Sequence, residues 1–289
     1  MENQDKLAGG KAPKKNGNPH DAAVKKTFED TLLAAMFFRL ILPERLTKKI
    51  NWDTLELLKD TFVTDTLKRH YLDLLFKVSL VDNTQVCLML VFEHKSYLPG
   101  HDESIDLQLM NYQMAVYNSL YAQYKSNNAA LHDLELPGQP LKLSKVVPVV
   151  LYHGSRKWNL PSWQQLTALE GLPEADQLPG LNHSYYLHDL QAMTDEELQQ
   201  FYQNTAKLLL LALCLKHSHD NDFLGTLPKL YQLAKEVTAP TEAVEIIDAL
   251  AVYLGYLVEP AQYQYVLQVT SQIDHTLNSK VMNIIEAAE

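Results

Sequence analysis

The amino-acid sequence predicts an α/β protein, with a mixed β-sheet core flanked by helices over residues 18–190 and a mostly helical C-terminal region over residues 191–289. Three observations predict this class. Two β-rich runs flank a turn signal, a continuous apolar run is typical of a buried strand, and apolar residues recur with helical spacing after residue 195. The sheet is therefore expected in the first part of the chain and the helices mainly in the last.

The N-terminal part is predicted to begin with a tail. Residues 1–17 are rich in Gly, Lys and Asn and contain few apolar side chains, which predicts disorder. Order is expected to begin at residues 18–21, where a polar side chain can cap a helix with regularly spaced apolar residues. Leu42 precedes Pro43 and should end or kink this helical segment. Residues 44–70 are expected to form short helices or turns.

The centre of the sheet is predicted from three runs of β-forming residues. Residues 71–80 and 85–96 flank a turn signal at 81–84, which predicts a β-hairpin. Residues 145–152 form a nearly continuous apolar run, which is typical of a strand buried on both faces. Gly154 is expected to end that strand.

Helical periodicity predicts the remaining elements. A helix is expected over residues 102–125, between the hairpin and the buried strand, and residues 155–190 are expected to be rich in loops. Four further helical stretches are predicted, over residues 195–217, 226–237, 240–257 and 260–287.

Composition narrows the class of protein. Hydrophobic residues make up 46% and charged residues 21% of the chain, as in soluble globular proteins. No apolar run approaches the roughly 18 residues of a transmembrane helix, and no apolar segment typical of a secretory signal opens the chain. Two cysteines, Cys87 and Cys214, supply neither a zinc framework nor a disulfide scaffold, so we expect a reducing, cytoplasmic environment.

Charge is distributed unevenly along the chain. The formal net charge is −10, which argues against nucleic-acid binding by a global positive field. Residues 1–49 nevertheless hold ten Lys or Arg against six Asp or Glu, so the excess of acids lies in the remainder. Any site for a polyanion is therefore expected in the first part of the fold.

The predicted hairpin brings three charged residues together. A three-residue loop at 82–84 would place Asp73 directly opposite Glu93, with Lys95 on the same face of the sheet. Opposed carboxylates are destabilising unless a cation lies between them, and Mg²⁺ prefers carboxylate oxygens. Such an ion polarises a phosphoryl oxygen and activates water. The trio therefore suits metal-dependent hydrolysis of a phosphodiester.

Two interpretations of this trio stay open from the residues alone. A solvated strand end with a surface salt bridge would contain the same residue types, and a one-residue change of register would separate the carboxylates. In favour of a functional site, four polar residues at 93–96 end an otherwise apolar strand. Such breaks in the hydrophobic pattern are expected at functional sites.

The spacing of Asp73, Glu93 and Lys95, on a hairpin followed by a helix, resembles the PD-(D/E)XK nuclease superfamily. More narrowly, the chain resembles the recombination-promoting nuclease (Rpn) family, also called YhgA-like transposases. The resemblance covers the first 155 residues and is thinner beyond them, although a helical second half is typical of the family. The matching segments are NPHDAAVKKTFED, LDLLF, VFEHKS, LQLMNYQMAVY and VVPVVLYHG.

The resemblance implies a PD-(D/E)XK-type core and a metal-dependent DNA endonuclease associated with recombination or mobile elements. It implies that Asp73 and Glu93 bind Mg²⁺, with Mn²⁺ able to substitute, and that the backbone carbonyl of His94 is a further ligand. Lys95, where the family often has glutamine, would position the attacking water or stabilise developing negative charge.

Two accessory residues are implied in the same way. Asp21, on the first helix, corresponds to an acidic residue that the superfamily often adds to its metal site. Gln108, on the helix after the hairpin, corresponds to a polar position beside the site. Each has a structural alternative, because an acid is favoured near a helix N-terminus and a glutamine is often simply exposed.

DNA is the implied partner, with phosphate contacts expected from Lys25, Lys26, Lys68 and Arg69. No membrane association is expected, and a homodimer is a geometric expectation if single active sites cut both strands. Two other classes of function remain open. One is a catalytically inactive DNA-binding or regulatory protein with a relict nuclease fold, and the other is an oligomerisation or scaffold protein, suggested by the acidic helical half.

Overall fold

The computed structural model describes residues 19–58, 74–81, 88–98, 104–133, 143–167, 181, 183–237 and 243–287. Over these ranges the chain has the predicted mixed α/β fold, with a helix-flanked sheet followed by a helical C-terminal region, and it is consistent with a PD-(D/E)XK-type core. The chain forms two compact units. Lys25–Phe201 contains the sheet, and Tyr202–Glu289 joins Met1–Val24 in a helical unit.

The sheet has five strands in the spatial order β1-β2-β3-β4-β5. The first three are antiparallel neighbours, whereas β3, β4 and β5 run parallel. The strands are β1 (Ile50–Leu57), β2 (Leu74–Leu80), β3 (Leu88–Lys95), β4 (Lys145–Tyr152) and β5 (Tyr186–Asp189). The helices around them are α1 (Pro19–Phe28), α2 (Thr31–Ile41), α3 (Glu44–Thr47), α4 (Ile105–Asp133), α5 (Trp163–Leu166) and α6 (Asp195–Phe201).

One face of the sheet is covered by α4, the crossover helix between the parallel strands β3 and β4. Its buried residues recur with helical spacing and pack against Leu75 of β2 and Val146 and Val150 of β4. Two polar contacts fix the pairing of helix and strand. Gln113 Nε2 donates to the Val146 carbonyl at 3.1 Å, and the Val146 amide donates to the Tyr117 hydroxyl at 3.2 Å.

The opposite face is covered by α2, through aromatic side chains. Phe38 meets the ring of Phe76 edge-on at 5.3 Å between centroids, and Phe37 meets His188 in the same manner at 6.0 Å. Phe76 belongs to β2 and His188 to β5, so α2 spans most of the sheet. The sheet is thus buried between two helices, which explains its apolar central strands.

The hairpin and the buried strand are confirmed, as is the short helix at residues 44–47, but the prediction of short helices or turns was wrong for residues 50–57. Residues 50–57 form β1, which follows the short helix α3. Its pairing with β2 shifts between Asn51 and Glu56, so the buried residues Ile50 and Leu55 are five positions apart. This irregular pairing breaks the alternation that identifies a strand in a sequence. β5 was missed within the expected loops because it has four residues.

The N-terminal helical segment is divided in two by Asp30. Its Oδ1 accepts hydrogen bonds from the amides of Leu32 and Leu33, at 2.9 and 3.4 Å, and thereby caps α2. Leu42 then ends α2 before Pro43, as predicted.

The helical unit is organised around α7 (Ala206–His217), which is buried nearly all round. Burial raises the pKa of the Cys214 thiol in this helix, so that cysteine is an inert part of the core. The remaining helices of this unit are α8 (Phe223–Glu236), α9 (Ala243–Leu257), α10 (Tyr263–Ile273) and α11 (His275–Glu286). α8 and α9 pack against α7, whereas α10 and α11 pack against each other, α10 also against α8 and α11 also against α9. Within the described ranges, no helix combines the length and the apolar character needed to cross a membrane.

His188 should make stability fall at acidic pH. Its ring is buried and stacks on Phe201 at 5.0 Å between centroids, and burial lowers its pKa to about 4. The unfolded chain takes up this proton near pH 6.5, whereas the folded chain does so only near pH 4. Stability is therefore present above pH 6.5 and is lost as the pH falls toward 4, by about 3 kcal/mol in total.

Chemical denaturation at pH 7 and at pH 4 measures this loss. We expect His188→Gln to remove most of it, and His275→Gln, at an exposed histidine of α11, to leave it unchanged. An equal loss of stability in the His188→Gln variant and the unsubstituted protein would assign the acid sensitivity to other groups.

Candidate active site

The candidate site lies at one edge of the sheet, called here the carboxyl edge. The parallel strands β3, β4 and β5 all end there, with Lys95 paired to Tyr152 and Tyr152 paired to Asp189. Because β2 is antiparallel to β3, it begins at the same edge, at Leu74. The carboxyl edge therefore gathers the end of β3, where the predicted metal ligands lie, and the start of β2.

The register of β2 and β3 is the one predicted from the three-residue loop. Leu74 pairs with Phe92 and Leu75 pairs with Val91, and the same register continues to the other end of the hairpin. The next pair along this register is Asp73 and Glu93. Asp73 lies outside the described residues, and the backbone alone is described for Glu93. The opposition of the two carboxylates therefore stays a prediction.

The backbone at the end of β3 also bears on a metal site. The Lys95 carbonyl accepts a hydrogen bond from the His153 amide at 2.9 Å, so this carbonyl points toward β4. Successive carbonyls in a strand point to opposite sides, so the His94 carbonyl points toward the side of β2. β2 begins on that side, at Leu74. A backbone carbonyl oxygen is one of the hard donors that a divalent cation prefers.

Of the predicted catalytic residues Asp73, Glu93 and Lys95, the structure describes the side chain of Lys95. It is half-buried, and its Nζ lies 5.9 Å from the centroid of the Tyr97 ring. Positions 91, 93 and 95 share one face of β3, and Val91 pairs with Leu75, which packs under α4. Lys95 thus belongs to the face of the sheet that α4 covers, at the carboxyl edge.

Gln108 lies on α4, over that same face. Its Nε2 donates a hydrogen bond to the hydroxyl of Tyr112, one turn further along the helix, and Tyr112 is fully buried. Gln108 itself is half-buried. The structure therefore orients this side chain along the helix through a buried partner, whatever its part in the chemistry.

A buried Asp106–His183 pair was missed from the sequence. Asp106 Oδ1 and His183 Nδ1 are 3.0 Å apart, and both side chains are almost completely buried. The pair joins the first turn of α4 to the segment before β5. Burial and the nearby Asp106 charge raise the pKa of Tyr185 to about 12. No local spacing signals this contact, because the partners are 77 residues apart.

The aromatic side chain of Tyr152 packs at the end of β4. The Tyr152 hydroxyl donates to the Arg156 carbonyl at 2.6 Å, and its ring packs edge-on against Trp158 at 5.0 Å between centroids. The ring lies so close to Gly154 that a Cβ there would be 2.6 Å from Tyr152 Cε2. Glycine is therefore required at the position where the sequence predicts the strand to end.

The other predicted residues were Asp21 and four basic residues. Asp21 lies on α1 in the helical unit, not in the unit that contains the sheet. Lys25 and Lys26 are exposed, and Lys26 Nζ pairs with Glu29 at 3.1 Å. Lys68 and Arg69 lie outside the described residues. In the part of the chain that the structure describes, no three His, Cys, Asp or Glu side chains form a metal-binding group.

Most of the chain matches the model of a known protein family. A family model described as "Putative transposase, YhgA-like" matches residues 18–245. The chain belongs to this family. The match covers the whole sheet and the helix α4, and it extends into the helical unit. The resemblance inferred from the FEHKS and YHG segments is thereby confirmed.

Curated relatives in Escherichia coli carry nuclease names. The chain is 28% identical to the recombination-promoting nuclease RpnD of strain O157:H7 over 74% of each protein. It is 26% identical to the recombination-promoting nuclease RpnA of strain K12, over 75% of this chain and 66% of RpnA. It is 27% identical to the inactive recombination-promoting nuclease-like protein RpnE of strain K12, over 75% of this chain and 64% of RpnE.

The chain thus belongs to a family with members named as nucleases and a member named as inactive. It spans about two thirds of the length of RpnE and of RpnA. No solved structure matches it.

Proposed function

We propose that the protein is a metal-dependent DNA endonuclease that hydrolyses phosphodiester bonds at the carboxyl edge of the sheet. The register of β2 and β3 is the observation that carries this proposal. Five described pairs, from Val78 and Leu88 to Leu74 and Phe92, lead directly to Asp73 and Glu93. The nuclease names of RpnD and RpnA support the same class of reaction.

The metal would be held by the Asp73 and Glu93 carboxylates and the His94 carbonyl. Mg²⁺, or Mn²⁺ in its place, would polarise a phosphoryl oxygen and activate the attacking water. Two carboxylates on paired strands suit this role because their mutual repulsion is relieved only when a cation is bound.

Lys95 would act on the phosphate itself. Its position on the same face of β3 as Glu93 puts an ammonium group where negative charge develops during the displacement. Partial burial strengthens this effect, because fewer waters screen the charge than at an exposed lysine.

DNA binding must be local, because the chain carries a net charge of −10. Exposed lysines 25 and 26, with Lys68 and Arg69 outside the described ranges, are the proposed phosphate contacts. So few contacts imply moderate affinity that falls steeply with salt. A role in recombination or mobile-element activity is proposed from the names of the relatives.

An inactive DNA-binding protein is the second candidate, because RpnE is named as inactive. Lys95 favours the active alternative, since it completes the motif in a family that often has glutamine there. Incubation of supercoiled plasmid with Mg²⁺, Mn²⁺ or EDTA separates the two. We expect nicked or linear DNA with either metal and none with EDTA. Retained DNA binding without cleavage in any metal would support the second candidate.

A further inference from the structure

The loop that follows β4 presents two basic side chains at the carboxyl edge. This β4 loop consists of residues 153–158, with the sequence HGSRKW. It leaves the sheet directly beside the end of β3, because the His153 amide donates to the Lys95 carbonyl at 2.9 Å. The middle of the loop is exposed, and its side chains are those of Ser155, Arg156 and Lys157. A hydroxyl, a guanidinium and an ammonium group therefore face solvent at this edge.

The backbone of the β4 loop is fixed on both sides of these cations. The Arg156 carbonyl accepts a hydrogen bond from the hydroxyl of Tyr152, a fully buried side chain, at 2.6 Å. The Trp158 amide donates to Asp189 Oδ2 at 2.8 Å, and the Trp158 ring packs on Tyr152. Residues 156 and 157 thus lie between two anchored peptide groups, so little backbone freedom is lost when they bind a ligand.

Neither basic side chain is paired within the fold. Among the residues that the structure describes, no carboxylate forms an ion pair with Arg156 or Lys157. The Asp189 carboxylate, which anchors the loop, accepts the amide hydrogens of Trp158 and Gln191, one on each oxygen. The two cations are therefore available to an anion outside the chain.

The sequence around the β4 loop is free of acids. Residues 136–169 contain four Lys or Arg and no Asp or Glu, although the chain has 35 acids and a net charge of −10. This segment therefore carries positive charge in a chain whose remainder is strongly acidic. A polyanion is attracted to such a segment and repelled by the rest of the surface.

We propose that the β4 loop binds the phosphate backbone of DNA beside the metal centre, with Arg156 and Lys157 as the phosphate contacts. This inference rests on the nuclease function proposed above. Arginine presents a planar fork of donors that matches phosphate oxygens, and lysine adds a compact charge. The Ser155 hydroxyl is a further donor to the same oxygens. Contacts of this kind position a duplex without reading its sequence.

The length of the loop sets which phosphates it reaches. Three residues separate His153 from Arg156, and His153 is hydrogen-bonded to Lys95, so the Arg156 Cα atom lies within roughly 15 Å of the Lys95 carbonyl. Each strand of B-DNA advances about 3.4 Å per phosphate along its axis. The loop therefore contacts phosphates within about five nucleotides of the one at the metal centre.

DNA binding by the full chain, followed by the fluorescence anisotropy of a labelled duplex in EDTA, tests the inference. Metal is removed, so the duplex stays intact while the salt concentration is raised. Substitution of both cations, Arg156→Ala with Lys157→Ala, should raise Kd about 30-fold at low salt. It should also reduce the slope of log Kd against log salt by about two, because two phosphate contacts are lost.

The matched control removes two cations from the opposite edge of the sheet. Arg45 lies on α3, and the Lys49 carbonyl accepts the amide hydrogen of Val81, just after β2 ends. Both side chains are exposed. Arg45→Ala with Lys49→Ala changes the net charge equally and should leave Kd within about threefold of the unsubstituted value.

Two further variants separate charge from folding. Arg156→Lys with Lys157→Arg keeps both charges and should retain Kd within about threefold. Circular dichroism melting shows whether the alanine variant is folded, and Arg156→Gln with Lys157→Gln replaces it if it is not. With Mg²⁺, the folded loop variant should need more DNA to reach the same maximal cleavage rate, because uniform binding is lost.

The outcomes distinguish this inference from the proposed function. Unchanged Kd and salt slope in the folded loop variant would overturn the inference, and DNA cleavage by the unsubstituted chain would then leave the nuclease proposal standing. Equal weakening by the control, or no DNA binding by the unsubstituted chain, would also overturn it. A chain that binds DNA through the β4 loop but cleaves none with Mg²⁺ or Mn²⁺ would support the inference and reject the nuclease proposal.

Discussion

Asparagine in place of Asp73 is expected to reduce metal-dependent DNA cleavage by about 1,000-fold or more. The substitution keeps the size of the side chain but removes the charge that a divalent cation requires, so the chemistry loses its main electrostatic support. Glu93→Gln should have a similar effect. The double variant should be scarcely worse than either single one, because both residues serve one centre.

The measurement is the initial rate of plasmid nicking at saturating Mg²⁺, together with DNA affinity at fixed salt. Asp53→Asn is the matched control, since Asp53 is an exposed acid of β1 and should leave the rate unchanged. DNA affinity should fall little in any of the variants. Cleavage that survives in Asp73→Asn and Glu93→Gln would place the active site elsewhere.

Truncation of Phe38 is expected to produce the largest loss of stability. Phe38 is fully buried, and its ring packs edge-on against Phe76 and Phe37 at 5.3 and 5.7 Å between centroids. Phe38→Ala leaves a cavity between α2 and the sheet and should lower the free energy of unfolding by about 3–5 kcal/mol.

Equilibrium denaturation in urea measures this loss. Leu32→Ala, on the same helix but at a side chain that is 64% exposed, should change the free energy of unfolding by no more than about 0.5 kcal/mol. A comparable loss from the two substitutions would contradict the packing of α2 described above.

Much of the sheet could be predicted because β2 and β4 carry buried residues on both faces. Burial makes β4 a continuous apolar run, and the turn signal after Leu80 fixes the register of the hairpin. The edge strands β1 and β5 could not be predicted in this way. The register shift in β1 places its two buried residues at irregular spacing, and β5 is too short for periodicity to identify.

The candidate site likewise contains residues that could be predicted from the sequence and a contact that could not. Asp73, Glu93 and Lys95 could be singled out because spacing within one hairpin determines which residues face each other. The contact between Asp106 and His183 could not, because it depends on how α4 and the segment before β5 pack together.

Mn²⁺ binding, followed by electron paramagnetic resonance, is the measurement that tests the candidate site most directly. Binding requires no substrate and no cleavage, so it remains informative even for an inactive protein. We expect the unsubstituted chain and Asp53→Asn to bind Mn²⁺ with the same affinity, and Asp73→Asn and Glu93→Gln each to lose that affinity. Unchanged Mn²⁺ affinity in both of those variants would contradict a metal centre at the start of β2 and the end of β3.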